Sequence, residues 1–172
     1  YLKKDADSSE RLRDIRYIAE KIKLPLSEVP VTKLTKMCPN AVHQGVILRC
    51  GFLPFSSWND LPQSEEGRYP LIVALDQIED PQNLGAILRT CGFFDVSAVV
   101  VPQDHTSELT PTVSKSSAGV LEWFTVISVT NLARFLQEQK SKGLWVVGLD
   151  GNAAENVGNL KRDRPLILVL GN

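Results

Sequence analysis

Residues Leu71 to Gly92, LIVALDQIEDPQNLGAILRTCG, decide the fold. The stretch opens on Leu71-Ile72-Val73-Ala74-Leu75, an unbroken apolar run of the kind that forms a strand buried on both faces. Asp76 ends the run. Asp80-Pro81 then imposes a turn, because proline disfavours helical backbone in the residue before it. Asn83 follows as the expected N-cap of a helix spanning 83–93. Leu84, Ile87, Leu88 and Cys91 recur at i, i+3, i+4 and i+7, one face of that helix. Arg89 lies about 140° round from Leu84, so the helix carries it off the packed face. A strand, a polar turn and a helix N-terminus together are the usual seat of ligand chemistry in α/β proteins.

Downstream of this unit, strands and helices alternate. The pattern predicts a strand at Ala98 to Val101 and a helix from Pro111 to about Leu121. A strand at Phe124 to Ile127, a helix at Leu132 to Lys142 and a strand at Leu144 to Leu149 follow. Gly151 to Arg164 is irregular, with room for a short helix around Glu155, and Leu166 to Leu170 is a last strand. Such alternation predicts an α/β fold, a largely parallel sheet flanked by helices with right-handed crossovers.

Upstream, the composition of residues 52–69 shifts to Pro, Ser, Asn, Asp, Glu and Gly, a linker that Phe55 and Trp58 pin to one side. Before it, Ser8 and Ser9 are candidate N-caps for a helix carrying Leu12, Ile15, Ile18, Ala19 and Ile22 and stopped by Pro25. A short strand at Leu26 to Val31, a short helix at Thr32 to Met37 and a strand at Val46 to Leu48 complete this part. The expected organisation is therefore 1–51, a linker at 52–69, and a larger domain at 70–172.

The chain has 172 residues and a net charge of −1, so no global charge announces a nucleic-acid partner, although a local basic patch would suffice. The basic run Arg11, Arg13, Arg16, Lys21 and Lys23 reads first as a solvated helix face and second as an RNA contact. Three cysteines without a CxxC pair argue against a disulfide framework or a zinc site. No apolar run is long enough to cross a membrane. No targeting segment is visible, although an opening at Tyr1 leaves room for a removed presequence.

Few side chains suggest chemistry by themselves. Asp76 and Asp80 read either as a carboxylate pair or, more simply, as residues that shape the turn. Ser114, Ser116 and Ser117 have no histidine or acid placed to activate them, which rejects a hydrolase, since His43 and His105 are the only histidines. Neither GxGxxG nor GxxxxGK[ST] occurs, which disfavours a general nucleotide-binding domain. Gly85 admits either a close-approaching ligand or tight helix–strand packing. Gly148-Leu149-Asp150 and Leu170-Gly171-Asn172 are glycine-bearing strand exits, and composition does not separate a ligand-lining role from a structural one.

The spacing Asp76-x3-Asp80-Pro81-x-Asn83-x-Gly85-x3-Arg89-Thr90 resembles the first signature motif of the SpoU family of RNA ribose 2′-O-methyltransferases. The resemblance continues through Thr110-Pro111-x-Val113-Ser114-Lys115-Ser116-Ser117-Ala118-Gly119 and reaches Leu168-Val169-Leu170-Gly171-Asn172. The segment from Ile18 to Cys50, with Val42-His43-Gln44-Gly45-Val46, resembles the C-terminal half of the L30e-like RNA-binding module that such enzymes carry. The closest likeness is to the large-subunit ribosomal RNA guanosine methyltransferases, including mitochondrial ones.

The resemblance implies a SPOUT-type fold with a deep trefoil knot, and S-adenosylmethionine as cofactor. It implies a homodimer acting on large-subunit ribosomal RNA in the mitochondrial matrix, with the bacterial cytoplasm as the alternative and neither metal nor membrane involved. It assigns catalysis to Arg89 and Asn83, and RNA contact to Arg89 and His43. Gly148, Leu149, Asp150, Leu170, Gly171 and Asn172 line the cofactor pocket by the same likeness. The family's later motifs, which thread the knot, lie beyond Asn172, so the function belongs to the full protein and residues 1–172 alone are expected to be inactive. A non-catalytic RNA-binding or ribosome-assembly factor is the alternative.

Overall fold

The computed structural model describes residues 1–4, 9–39, 41–61 and 69–171. The candidate cap Ser8, most of the second half of the expected linker and Asn172 lie outside these. The chain forms two compact units, Tyr1–Gly51 and Phe52–Asn172.

In the first unit, β1 (Leu2–Lys3) pairs in parallel with β2 (Glu28–Val29), and α1 (Glu10–Lys21) and α2 (Val31–Met37) follow β1 and β2 in turn. Leu2 and Leu12 form a small core with Leu26 and Val46 packed against it. Helix α1 ends earlier than Pro25 requires, because Lys23 takes a left-handed backbone at φ 55°. The strand expected at Val46 to Leu48 reduces to a single antiparallel bridge between Val46 and Leu2. Ser9 occupies the N-cap of α1 but makes no side-chain capping bond.

The second unit is a five-stranded sheet in the order β5-β4-β3-β7-β6, every neighbouring pair parallel. Its strands are β3 (Leu71–Leu75), β4 (Ala98–Pro102), β5 (Val126–Val129), β6 (Trp145–Gly148) and β7 (Leu166–Leu170). Helices α3 (Pro81–Phe93), α4 (Pro111–Ser116) and α5 (Leu132–Ser141) connect them. Side chains alternate along β3 as the pleat requires. Val73 and Leu75 enter one core with Leu84 and Leu88 of α3 and Val113 of α4. Ile72 and Ala74 enter the other with Leu132 and Phe135 of α5. The α/β architecture expected from the alternation is thus the observed one, with helices on both faces.

Three expectations shift. The helix from Pro111 stops at Ser116, since Ala118 and Gly119 adopt φ 54° and 87°, and a separate 3₁₀ turn covers Val120–Glu122. The strand expected at Phe124 to Ile127 sits two residues later. The short helix near Glu155 is a 3₁₀ turn at Val157–Asn159, capped by Asn156. Residues 52–61, part of the expected linker, pack on the second unit. Ser56 bridges to Ile127, and Trp58 meets Phe135 edge-on with ring centroids 4.8 Å apart. Phe55 remains exposed.

Candidate functional site

The chain leaves β3 toward β4 on one side, while β7 returns on the other. The exits of β3 and β7 therefore flank the point where strand order reverses, the place where open parallel sheets hold ligands. The Asp76 backbone N–H donates to Leu170 O at 2.8 Å, tying the two exits together. A Cβ on Gly171 would stand 2.8 Å from the Asp76 Cβ, so the motif aspartate fills the space that a side chain at 171 would need. One strand further out, Leu149 N–H donates to Val169 O at 2.9 Å, which places Gly148, Leu149 and Asp150 beside Leu170 and Gly171. Gly148 is different from Gly171: among the described residues an added Cβ there meets nothing within 4 Å. These residues form an open ledge. Leu149 is 40% exposed, Gly148 and Asp150 are exposed, and Leu170 is half-buried. The Asp150 carboxylate accepts from Asn152 N–H at 2.8 Å and so shapes the turn that leaves the ledge.

Helix α3 starts at this switch point. Asp80, not Asn83, is its N-cap: Oδ1 accepts from Gln82 N–H at 2.8 Å, and Pro81 occupies the first turn where its missing N–H is not needed. The carboxylate also complements the positive end of the helix dipole. Asn83 is displaced into the first turn and exposed. The Asp80 carboxylate thus has the turn-shaping role, while Asp76 is held at the strand exit through its backbone N–H.

Gly85 resolves differently from either expectation. Its Cβ would lie 1.8 Å from Ser116 Oγ and 2.8 Å from Val113 O, so the close approach is between α3 and α4. Ser116 Oγ donates to Thr112 O at 2.8 Å and lies 3.3 Å from Pro81 O. Ser117, fully buried, donates to Ser114 O at 2.8 Å. Ser114 donates to Glu122. All three serine hydroxyls have structural partners, as the packing reading of this segment expects. The Ser116 contact was hidden from sequence reasoning, and its only trace is that two small residues sit where two helices must cross.

Arg89 is exposed on α3 and, among the described residues, makes no hydrogen bond or ion pair. At 1.5 Å per residue it stands about 12 Å along the axis from Pro81, and Asn83 and Arg89, about 9 Å apart along that axis, do not meet. His43, in the first unit, has both ring nitrogens engaged. Nδ1 accepts from Gly45 N–H at 3.0 Å, which leaves the proton on Nε2, 3.3 Å from Thr35 Oγ1. Gln44 and Gly45 form the turn there, at φ 49° and 90°. Burial pushes the Cys91 thiol up to about 11, so it is an inert core group. Among the described residues no three His, Cys, Asp or Glu side chains could hold a metal ion, and no helix is long and apolar enough to cross a membrane.

The architecture is a parallel sheet flanked by helices, with an open ledge at the strand-order reversal. The chain belongs to the SpoU rRNA Methylase family, which residues 70–172 match. Residues 1–55 match the domain described as RNA 2′-O ribose methyltransferase substrate binding. YacO of Bacillus subtilis, a protein assigned to the TrmH family of tRNA/rRNA methyltransferases, is 38% identical over 90% of this chain and 62% of its own length. This chain therefore spans less than two thirds of that relative. The SpoU methyltransferase AviRb from Streptomyces viridochromogenes, solved in complex with AdoMet, shares the fold at a TM-score of 0.58 and 20% identity, over 70% of this chain and 48% of that one. An AdoMet-bound rRNA methyltransferase from Sinorhizobium meliloti does so at 0.59 and 23%, over 69% and 44%.

Proposed function

We propose that the full protein is an S-adenosylmethionine-dependent RNA methyltransferase that modifies a ribose 2′-hydroxyl, with a guanosine of large-subunit ribosomal RNA as acceptor. The observation that carries the reading is the convergence of the β3, β7 and β6 exits at the switch point, with the signature helix starting beside them. The open backbone at Gly148 leaves room for a cofactor, since an added Cβ there meets nothing within 4 Å among the described residues. Gly148, Leu149 and Asp150 would hold it from one strand, and Leu170, Gly171 and Asn172 from the other. Bound there, S-adenosylmethionine supplies an electrophilic methyl group on a positive sulfonium.

Arg89 supplies charge. A guanidinium cannot accept a proton at neutral pH, because its pKa lies too high. It can instead grip a phosphate next to the target ribose and stabilise negative charge growing on the 2′-oxygen. Holding the ribose oxygen in line with the methyl group contributes several kcal/mol more. By the family resemblance the protein acts as a homodimer in which Arg89, about 12 Å along α3 from Pro81, serves the partner's ledge. Asn83, exposed in the first turn, orders the RNA-facing side of that helix. His43 would offer RNA its ring face, or a ring nitrogen released from one of its two internal bonds. The mitochondrial-matrix assignment rests on sequence resemblance alone; the bacterial origin of YacO favours the bacterial cytoplasm.

The test incubates the full-length protein with labelled S-adenosylmethionine and deproteinised large-subunit ribosomal RNA, then maps alkali-resistant ribose positions. One new 2′-O-methyl site supports the reading. RNA binding without cofactor binding or transfer would replace it with a non-catalytic assembly factor.

A further inference from the structure

At the opposite end of β6 from the ledge, the sheet edge carries a second feature. Trp145, the first residue of this edge strand, is 45% exposed, and the Arg164 guanidinium lies 4.0 Å from its ring centroid. Beside the ring a cleft of about 380 Å³ is lined by Lys140, Gly143, Leu144, Trp145 and Val146. Lys142 stands on the exposed turn leading into the cleft, and Lys161 and Arg162 are exposed on the segment leading to Arg164. The acid in this group, Asp163, is paired with Arg164, whose hydrogen bond holds its carboxyl below the ordinary value. In a chain of net charge −1, this is a local excess of positive charge around an exposed indole. Core packing explains neither the exposure of the tryptophan nor the cations around it.

We propose that this patch is an RNA-binding surface, in which a single-stranded base stacks on Trp145 and Lys140, Lys142, Lys161 and Arg162 hold the flanking phosphates. An aromatic face within a basic groove is the combination that binds single strands without reading sequence, and an arginine already stacked on the ring orients the indole. Trp145 is three residues from Gly148, about 10 Å along the strand. An RNA strand laid along the sheet edge therefore reaches from the patch to the ledge. The proposal rests on the RNA-directed reading above and adds a second contact to it.

The experiment uses the full-length protein and a fluorescein-labelled single-stranded RNA of mixed sequence, followed by anisotropy across a salt series. Trp145→Ala is expected to weaken binding by about ten- to a hundredfold, the range for loss of one stacked base. Trp145→Phe keeps a ring and should retain most of the affinity, while abolishing RNA quenching of the Trp145 emission. Lys161→Gln with Arg162→Gln, on an exposed loop where folding is not at stake, should reduce the salt slope by about one to two. S-adenosylmethionine affinity should stay unchanged in all three. Unchanged RNA affinity and salt slope in the charge variant, with undiminished quenching in Trp145→Phe, would overturn the patch. That result would leave the methyltransferase reading intact. Weakened binding in the variants of a protein that transfers no methyl group would uphold the patch and remove the enzyme. Wild-type protein that binds no RNA would overturn both.

Discussion

The two halves of the sheet are built from similar sequence and end in different states. Strand β3 reads LIVAL and β7 reads LILVL. In β3 all residues from Ile72 on are buried, and β4 is buried from Ala98 to Val101. Only Leu166 and Ile167 are buried in β7, and β6 is exposed at both ends. The difference lies in the cover. Helices α3 and α4 close one face over β3 and β4, and α5 closes the other. The exits of β7 and β6 are left half-open among the described residues. An apolar run therefore reports a strand, but the elements packed on it decide whether its end is core or binding surface. The same contrast separates two glycines: Gly171 is walled in by Asp76, whereas Gly148 faces open space.

The largest expected effect tests the covered half. Leu88→Ala removes a fully buried side chain and should cost about 2–5 kcal/mol in urea unfolding, whereas Leu149→Ala on the open ledge should cost under about 1 kcal/mol. Equal losses would mean that the ledge is core after all. Next comes the helix crossing. Gly85→Ala drives a methyl group into Ser116 and should destabilise by about 1–3 kcal/mol. Ser116→Gly in the same chain should recover part of this, and strict additivity in the double-mutant cycle would show that the two residues do not meet.

The paired glycines sharpen the comparison with a smaller effect. Gly171→Ala should lower stability by about 1 kcal/mol, as overpacking predicts. Gly148→Ala should leave stability within about 0.5 kcal/mol while weakening S-adenosylmethionine binding, a split readable by calorimetry. A pH effect tests the covered core again. Cys91 ionises at about 11 in the fold against 9.0 in the unfolded chain. Its neutral thiol favours the fold below pH 9, and this contribution is lost as pH rises from 9.0 towards about 11, because only the unfolded chain ionises in that window. Cys91→Ala should flatten that part of the stability profile.

Much of this was legible in the sequence, and the failures share a cause. Leu71–Leu75 and Leu166–Leu170 were readable to the residue, because a strand buried in a parallel sheet is a bounded apolar run. Helix α3 starts two residues before the expected 83, because an aspartate cap with proline in the first turn makes the turn and opens the helix together. The break after Ser116 depends on left-handed backbone at Ala118, which alanine does not advertise. Two-residue strands such as Leu2–Lys3 carry no period to detect. At the site, the strand exits were legible as glycine-bearing ends, but their adjacency depends on β7 inserting between β3 and β6. Non-local pairing of that kind leaves no mark in local spacing. The Asp76–Gly171 and Gly85–Ser116 contacts were invisible for the same reason.

The central claim is that α3 presents Arg89 for chemistry while the strand ends hold the cofactor, and one measurement separates the two parts. Arg89→Ala in the full-length protein, titrated with S-adenosylmethionine and then assayed for methyl transfer to large-subunit ribosomal RNA, should keep the wild-type cofactor affinity and fold stability and lose transfer by at least about a hundredfold, the scale of one missing oxyanion stabiliser. Transfer at the wild-type rate would contradict the account, and Arg89 would then be an ordinary exposed helix residue.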